Sequence, residues 1–174
     1  MTVFWNVDDL KVSHKDEFDI TRFATYLREI HGGLQASHGK FYDYLGMTLD
    51  YSDKDRIQVS MIPYLINILK DFPEDLGAPA ATPAPDNLFK VRPEVEAIFV
   101  PEYQDQVFHH NVAQIIFLSA RSRRYIQKSI ALLITRVKKP DEDDWFKLRR
   151  CLNYLKGTIG LKLTLTADEL SVVK

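Results

Sequence analysis

The 174 residues, 45% hydrophobic and 27% charged, suffice for one domain or two small ones and exclude a disordered chain. With 7 Gly and 8 Pro the composition is not collagen-like. No apolar run reaches the roughly 18 residues needed to cross a bilayer. The N-terminus, Met1-Thr2-Val3-Phe4-Trp5-Asn6-Val7-Asp8-Asp9, lacks the basic-then-apolar order of a secretory signal, so an intracellular location and no membrane partner are expected. One cysteine, Cys151, excludes an internal disulfide and fits a reducing compartment.

A formal net charge of -1 conceals an uneven distribution. Residues 1–118 carry 10 Lys and Arg against 18 Asp and Glu, whereas residues 119–162 carry 12 against 4. A cationic segment beside an acidic one points to a polyanionic partner.

In chain order, Thr2 to Trp5 and Leu10 to Val12 read as strands of a hairpin with the acidic tip Asn6-Val7-Asp8-Asp9. From Glu17 to His31, the apolar residues Ile20, Phe23, Ala24, Leu27 and Ile30 recur at helical spacing, and Gly32-Gly33 ends the helix. Phe41 to Tyr51 and Arg56 to Met61 read as two strands joined by the turn Ser52-Asp53-Lys54-Asp55. Pro63 opens a short helix with Leu65, Ile66, Leu69 and Phe72 on one face.

Six of the 8 prolines fall between Pro73 and Pro101, which marks this stretch as a linker and domain boundary. Helices follow at Glu102 to Ser119 and at Arg124 to Val137, the latter with Ile126, Ile130, Leu133, Ile134 and Val137 in register. A third opens at Pro140 and Asp141, keeps Trp145, Leu148, Leu152 and Leu155 on one face, and ends at Gly157. Asp141 is placed to cap it, with Glu142, Asp143 and Asp144 at the positive end of its dipole. Leu161 to Thr166 alternates as a terminal strand. The fold class is α+β, a small β-rich N-terminal part followed by a mainly helical one.

Asp8 and Asp9 are the sharpest chemical candidates. Paired carboxylates on a tight turn bind hard divalent cations, which can activate a 3′ hydroxyl and neutralise a triphosphate; that chemistry takes a third carboxylate from another strand. Arg121, Arg123, Arg124, Lys128, Lys147, Arg149, Arg150 and Lys156, with Arg136, Lys138 and Lys139, lie on or between two helices and suit sequence-independent phosphate contacts. His109-His110 are adjacent rather than spaced as helical metal ligands. Cys151, between Leu148 and Leu152, reads as core.

Phe4-Trp5-Asn6-Val7-Asp8-Asp9-Leu10, Tyr44-Leu45-Gly46-Met47, Ala81-Thr82-Pro83-Ala84, Pro140 through Trp145 and Leu148 through Thr158 occur in the order found in one family. Over nearly its whole length the chain resembles the reverse transcriptase region of copia-like LTR retrotransposon polyproteins. The resemblance implies the C-terminal part of a polymerase palm with the start of a thumb over residues 1–72, a Pro-rich linker over 73–101 and a helical connection region over 102–174.

By the same resemblance Asp8 and Asp9 are the catalytic, Mg²⁺-binding pair of an RNA-directed DNA polymerase, a nucleotidyltransferase. Its partners would be an RNA/DNA template-primer and deoxynucleoside triphosphates. The parent protein would work in the cytoplasm or in virus-like particles. The family's fingers and first palm strands, with a third metal-binding aspartate, would precede the chain, and its ribonuclease H domain would follow. On that expectation the chain is a fragment with an incomplete active site, inactive alone; the alternative is a non-catalytic nucleic-acid-binding remnant using the basic helices. Two positions depart from the family pattern: Asn6 stands where Tyr is usual, and Tyr125 in Arg123-Arg124-Tyr125-Ile126 stands where Asp is usual.

Overall fold

Tight turns shape the beginning of the chain. In the computed structural model, which describes residues 1–166, β1 (Thr2–Asn6) and β2 (Asp9–Ser13) pair antiparallel with Asn6 opposite Asp9. That register leaves Val7 and Asp8 as the loop, and Val7 takes φ 53°. A β-branched residue is costly at positive φ, so the strand pairing and not the side chain dictates this conformation.

Helix α1 (Glu17–His31) has the bounds read from the sequence because both ends carry caps. The Asp16 carboxylate accepts from the Phe18 N–H at 2.9 Å, and Gly32, at φ 62°, donates its N–H to the Arg28 carbonyl at 2.9 Å. Its stripe of Ile20, Phe23, Ala24 and Leu27 is only half-buried.

The single strand expected over Phe41 to Tyr51 is instead a hairpin, β3 (Phe41–Tyr44) and β4 (Met47–Asp50), with Tyr44 opposite Met47. Leu45 and Gly46 turn the chain at φ 51° and 74°, the two positive angles of a type I′ turn. Gly46 adopts its angle without penalty; Leu45 is carried along by it. Strand β5 (Arg56–Ser60) follows, and the second sheet runs in the order β3-β4-β5-β6, with β6 at Leu163–Thr166.

The chain forms two compact units that divide within β5, between Gln58 and Val59, ahead of the Pro-rich stretch where the sequence reading places the boundary. Residues 167–174, assigned from the sequence to the region beginning at residue 102, lie outside the described residues. Among the described residues of the first unit, Leu49 is the one fully buried hydrophobic side chain.

The second unit holds the core. Helix α2 (Ile62–Asp71) starts with Pro63 in its first turn and buries Met61, Leu65, Ile68 and Phe72, so Ile68 takes the place given to Ile66 and Leu69, which are half-buried. Helix α3 (Glu102–Arg121) buries Phe108, Val112, Ile115 and Leu118 without residual exposure. The helix expected from Arg124 begins as a 3₁₀ turn, Arg124–Ile126, and becomes α4 only over Gln127–Arg136. Helix α5 (Glu142–Gly157) buries the whole expected face, Trp145, Leu148, Leu152 and Leu155, together with Cys151. Trp145 stacks on Phe72 with ring centroids 5.3 Å apart. At roughly 1.5–3 kcal/mol for each fully buried large aliphatic side chain, these four helices carry the hydrophobic stabilisation.

The N-terminus of α5 is tied by a reciprocal cap. The Asp141 carboxylate accepts from the Asp144 N–H at 2.9 Å, and Asp144 Oδ2 accepts from the Asp141 N–H at 3.1 Å and from Arg136 Nε at 2.8 Å. Replacing Asp141 by Ala removes the cap and leaves the buried Asp144 N–H unpaired; a urea midpoint should report a loss of about 1–2 kcal/mol. Burial raises the Asp144 carboxyl above its ordinary pKa despite the hydrogen bond from Arg136. The folded chain therefore holds that proton more tightly than the unfolded one. This contribution to stability is complete below the unfolded pKa and is lost as pH rises through the folded value. The melting temperature of the native protein should accordingly gain on that of Asp144→Asn as pH falls through this window, and a gap moving the other way would contradict the assignment.

Candidate active site and the basic helices

Asp8 and Asp9 sit where the β1–β2 register puts them, at the tip of the hairpin, both exposed. The Trp5 indole N–H donates to the Val7 carbonyl at 2.6 Å and braces the turn from one side. Lys11 Nζ lies 5.6 Å from the ring centroids of both Phe4 and Tyr51, a cation–π bridge from β2 to the residue after β4. The two carboxylates border a cavity of about 500 Å³ inside the first unit, lined also by Phe23 and Leu27 of α1 and by Tyr42 and Tyr51.

Two adjacent carboxylates are hard oxygen donors of the kind Mg²⁺ takes. They make up part of a ligand set: among the described residues, no group of three or more His, Cys, Asp and Glu side chains is placed to hold a metal.

The basic residues divide into three groups, with Arg121 apart. Arg124, in the 3₁₀ turn, and Lys128, in the first turn of α4, are both exposed and four residues apart. Arg121 is half-buried, with its guanidinium 3.5 Å from the Phe117 ring centroid. Arg123 and Lys147, read from the sequence as phosphate-facing, are buried at 2% and 1% exposure. Arg123 Nη1 donates to the Tyr125 hydroxyl at 2.6 Å and Nη2 to the Ile159 carbonyl at 2.7 Å. Lys147 Nζ pairs with Asp143 at 2.7 Å and donates to the Lys90 carbonyl at 2.7 Å. A buried cation needs such partners to offset its desolvation, so these two residues fix the fold and, in this arrangement, are covered from a phosphate at the surface.

The third group is turned onto the Pro-rich segment. Arg149 Nη2 donates to the Asp75 carbonyl at 2.7 Å, Arg150 Nη2 to Thr82 Oγ1 at 3.0 Å and Lys156 Nζ to the Gly77 carbonyl at 3.0 Å. No spacing rule in the sequence reports these contacts, because the partners lie 68 to 79 residues away and two of them are main-chain carbonyls. Tyr125 likewise has no sequence signal as an acceptor, yet it accepts from Arg123 at the position where the resembled family carries Asp.

Cys151 is buried, and desolvation pushes its thiol up to about 12, consistent with a core residue and not a nucleophile. His109 and His110 are exposed on α3. Comparison with known protein families, curated proteins and solved structures returns no match.

Tyr125→Phe leaves Arg123 Nη1 without that acceptor and should lower the free energy of unfolding by about 1–3 kcal/mol. Urea titration checks this, and a variant as stable as the native chain would refute the role. Under native conditions Cys151 should react with a disulfide reagent no faster than the chain unfolds, a rate obtained from labelling kinetics across denaturant concentrations.

Proposed function

We propose that the chain is part of a reverse transcriptase of the copia-like retrotransposon type, supplying the catalytic carboxylate hairpin and the helical region that follows it. The observation that carries this reading is the pairing of Asn6 with Asp9, which puts an Asp-Asp pair at the tip of an antiparallel hairpin within an ordered set of family motifs. Asp8 and Asp9 would hold Mg²⁺. When bound, such ions lower the barrier to in-line phosphoryl transfer by activating the primer 3′ hydroxyl and screening the triphosphate.

The chain's own residues contribute position. The two-residue turn fixes both carboxylates on one short backbone segment, and the Trp5 N–H to Val7 carbonyl bond limits how far the tip can flex. Asn6 adds an amide at the usual Tyr position. Two carboxylates form one limb of a two-metal site, so the polymerising unit in this reading is the chain together with fingers and a palm strand bearing the third aspartate.

A second reading, a non-catalytic nucleic-acid-binding remnant, is favoured by Arg124 and Lys128. Both are exposed and spaced by four residues, which puts them on one side of the 3₁₀ turn and first turn of α4. One pair of assays separates the two. The chain is joined behind the fingers and first palm strands of a copia-like transcriptase, then tested for primer extension on poly(rA)/oligo(dT) and for binding to the same duplex. Catalysis requires Mg²⁺-dependent incorporation that Asp8→Asn abolishes with duplex binding unchanged. A folded, duplex-binding chimera whose incorporation is absent or survives Asp8→Asn sinks the polymerase reading. Loss of binding in Arg124→Glu with Lys128→Glu would support the second.

A further inference from the structure

We propose that the face of α5 bearing Arg149, Arg150 and Lys156 is a masked phosphate-binding surface, and that a nucleic-acid backbone occupies it by displacing the Pro-rich segment. The proposal rests on the nucleic-acid reading above and adds a competitor within the chain. All three side chains donate to oxygen atoms of one short stretch, Asp75 to Thr82. These acceptors are a neutral hydroxyl and two neutral carbonyls. Phosphate oxygens accept from the same donors in charge-assisted bonds about twice as strong.

The resident occupant also fits incompletely. Arg150 Nε is buried and has no hydrogen-bond partner, although Nη2 of the same guanidinium is on Thr82. A phosphate can take adjacent guanidinium N–H groups together, as a single hydroxyl cannot. On the Arg149 side, Glu74 stands 3.6 Å from Nη1 and opposes an incoming anion, so Arg150 and Lys156 form the more receptive end.

The segment is built to lift. Leu76 and Leu88 are buried and tether its two ends, while Gly77 to Thr82 between them is exposed apart from half-buried Ala80. No helix or strand runs through it, and Pro79, Pro83 and Pro85 have no N–H with which to anchor the main chain. Pro79 packs over Gly157 of α5, where an added Cβ would lie 2.7 Å from the Pro79 Cβ. A methyl group there cannot coexist with the closed position, yet it removes no cation and favours the helix itself. Gly157→Ala is therefore a variant with the segment raised and the donors intact.

The test measures binding of a labelled poly(rA)/oligo(dT) duplex by anisotropy at several salt concentrations, for the native chain, Gly157→Ala and Thr82→Ala, all checked for folding by their thermal transitions. Freed cations should tighten binding in Gly157→Ala at least about threefold and steepen the logarithmic salt dependence by about one, with Thr82→Ala changing in the same direction by less. On the native chain, duplex should speed proteolytic cleavage between Ala78 and Ala84. Binding that is equal or weaker in both variants, or cleavage that duplex leaves unchanged, overturns the masking while the nucleic-acid reading stands. Failure of every protein to bind overturns both.

Discussion

Helix α5 is gripped from two sides, and the second unit is organised around that double hold. Its apolar side, Trp145, Leu148, Cys151, Leu152 and Leu155, is buried. Its cationic side, Lys147, Arg149, Arg150 and Lys156, donates to the segment from Asp75 to Lys90. The two holds differ in kind. Burial of the apolar side is non-directional and large, about 25 cal/mol for each Å² of apolar surface removed from water, whereas each exposed contact of Arg or Lys with a carbonyl contributes about 1 kcal/mol or less and weakens with competing ions. The helix is thus fixed by its core, and the segment over it is attached by interactions that solutes can exchange. Lys147 is the exception: at 1% exposure, with Asp143 and the Lys90 carbonyl as partners, it belongs to the permanent side.

This arrangement changes what the uneven charge means. Most of the cations in the +8 stretch are engaged within the unit, Arg136 on Asp144, Lys139 on Glu94, Arg123 on a hydroxyl and a carbonyl, and those of α5 on the Pro-rich segment. Much of the positive charge is spent on oxygen atoms of the chain itself. A cationic segment in a sequence therefore measures the number of donors available to oxygen acceptors, and the fold decides which acceptors come first.

Local signals were legible where they act locally. Helix α1 is bounded as expected because Gly32 ends it two residues beyond the last apolar residue of the stripe, Ile30, and α5 because Asp141 caps it and its apolar face is regular. The hairpin at Asp8 was readable from apolar stretches on either side of a short polar tip. The hairpin at Leu45-Gly46 is not evident from residue pattern, since Leu is a poor candidate for φ 51° and the flanking residues, rich in aromatic and other strand-forming side chains, read as one strand. The two units divide ahead of the Pro-rich stretch where the sequence reading sets a boundary. Proline content marks where the main chain lacks donors, and such a segment can lie against a helix that supplies them as well as it can span two domains. At the candidate site, adjacency in sequence was enough to pair Asp8 with Asp9, whereas the burial of Arg123 and Lys147 depends on tertiary packing that no helical period encodes.

The two units also differ in how firmly they hold what they present. Around Asp8 and Asp9, β1 leaves Phe4 and Trp5 at 55% and 77% exposure, and α1 contributes no fully buried side chain. A two-stranded hairpin without a packed face is marginal in water, and a non-glycine residue in the left-handed region, as at Val7, costs of order 1–2 kcal/mol. The carboxylate pair is consequently positioned by main-chain register and the Trp5 indole bond more than by a core. Two like charges on such a turn repel each other and add to its cost. A divalent cation held by Asp8 and Asp9 would offset that repulsion, and if it bound the formed hairpin in preference to the open chain it would stabilise the turn by mass action. On the proposed reading, metal binding and local folding would be one equilibrium here, whereas the helices of the second unit are folded by their own packing.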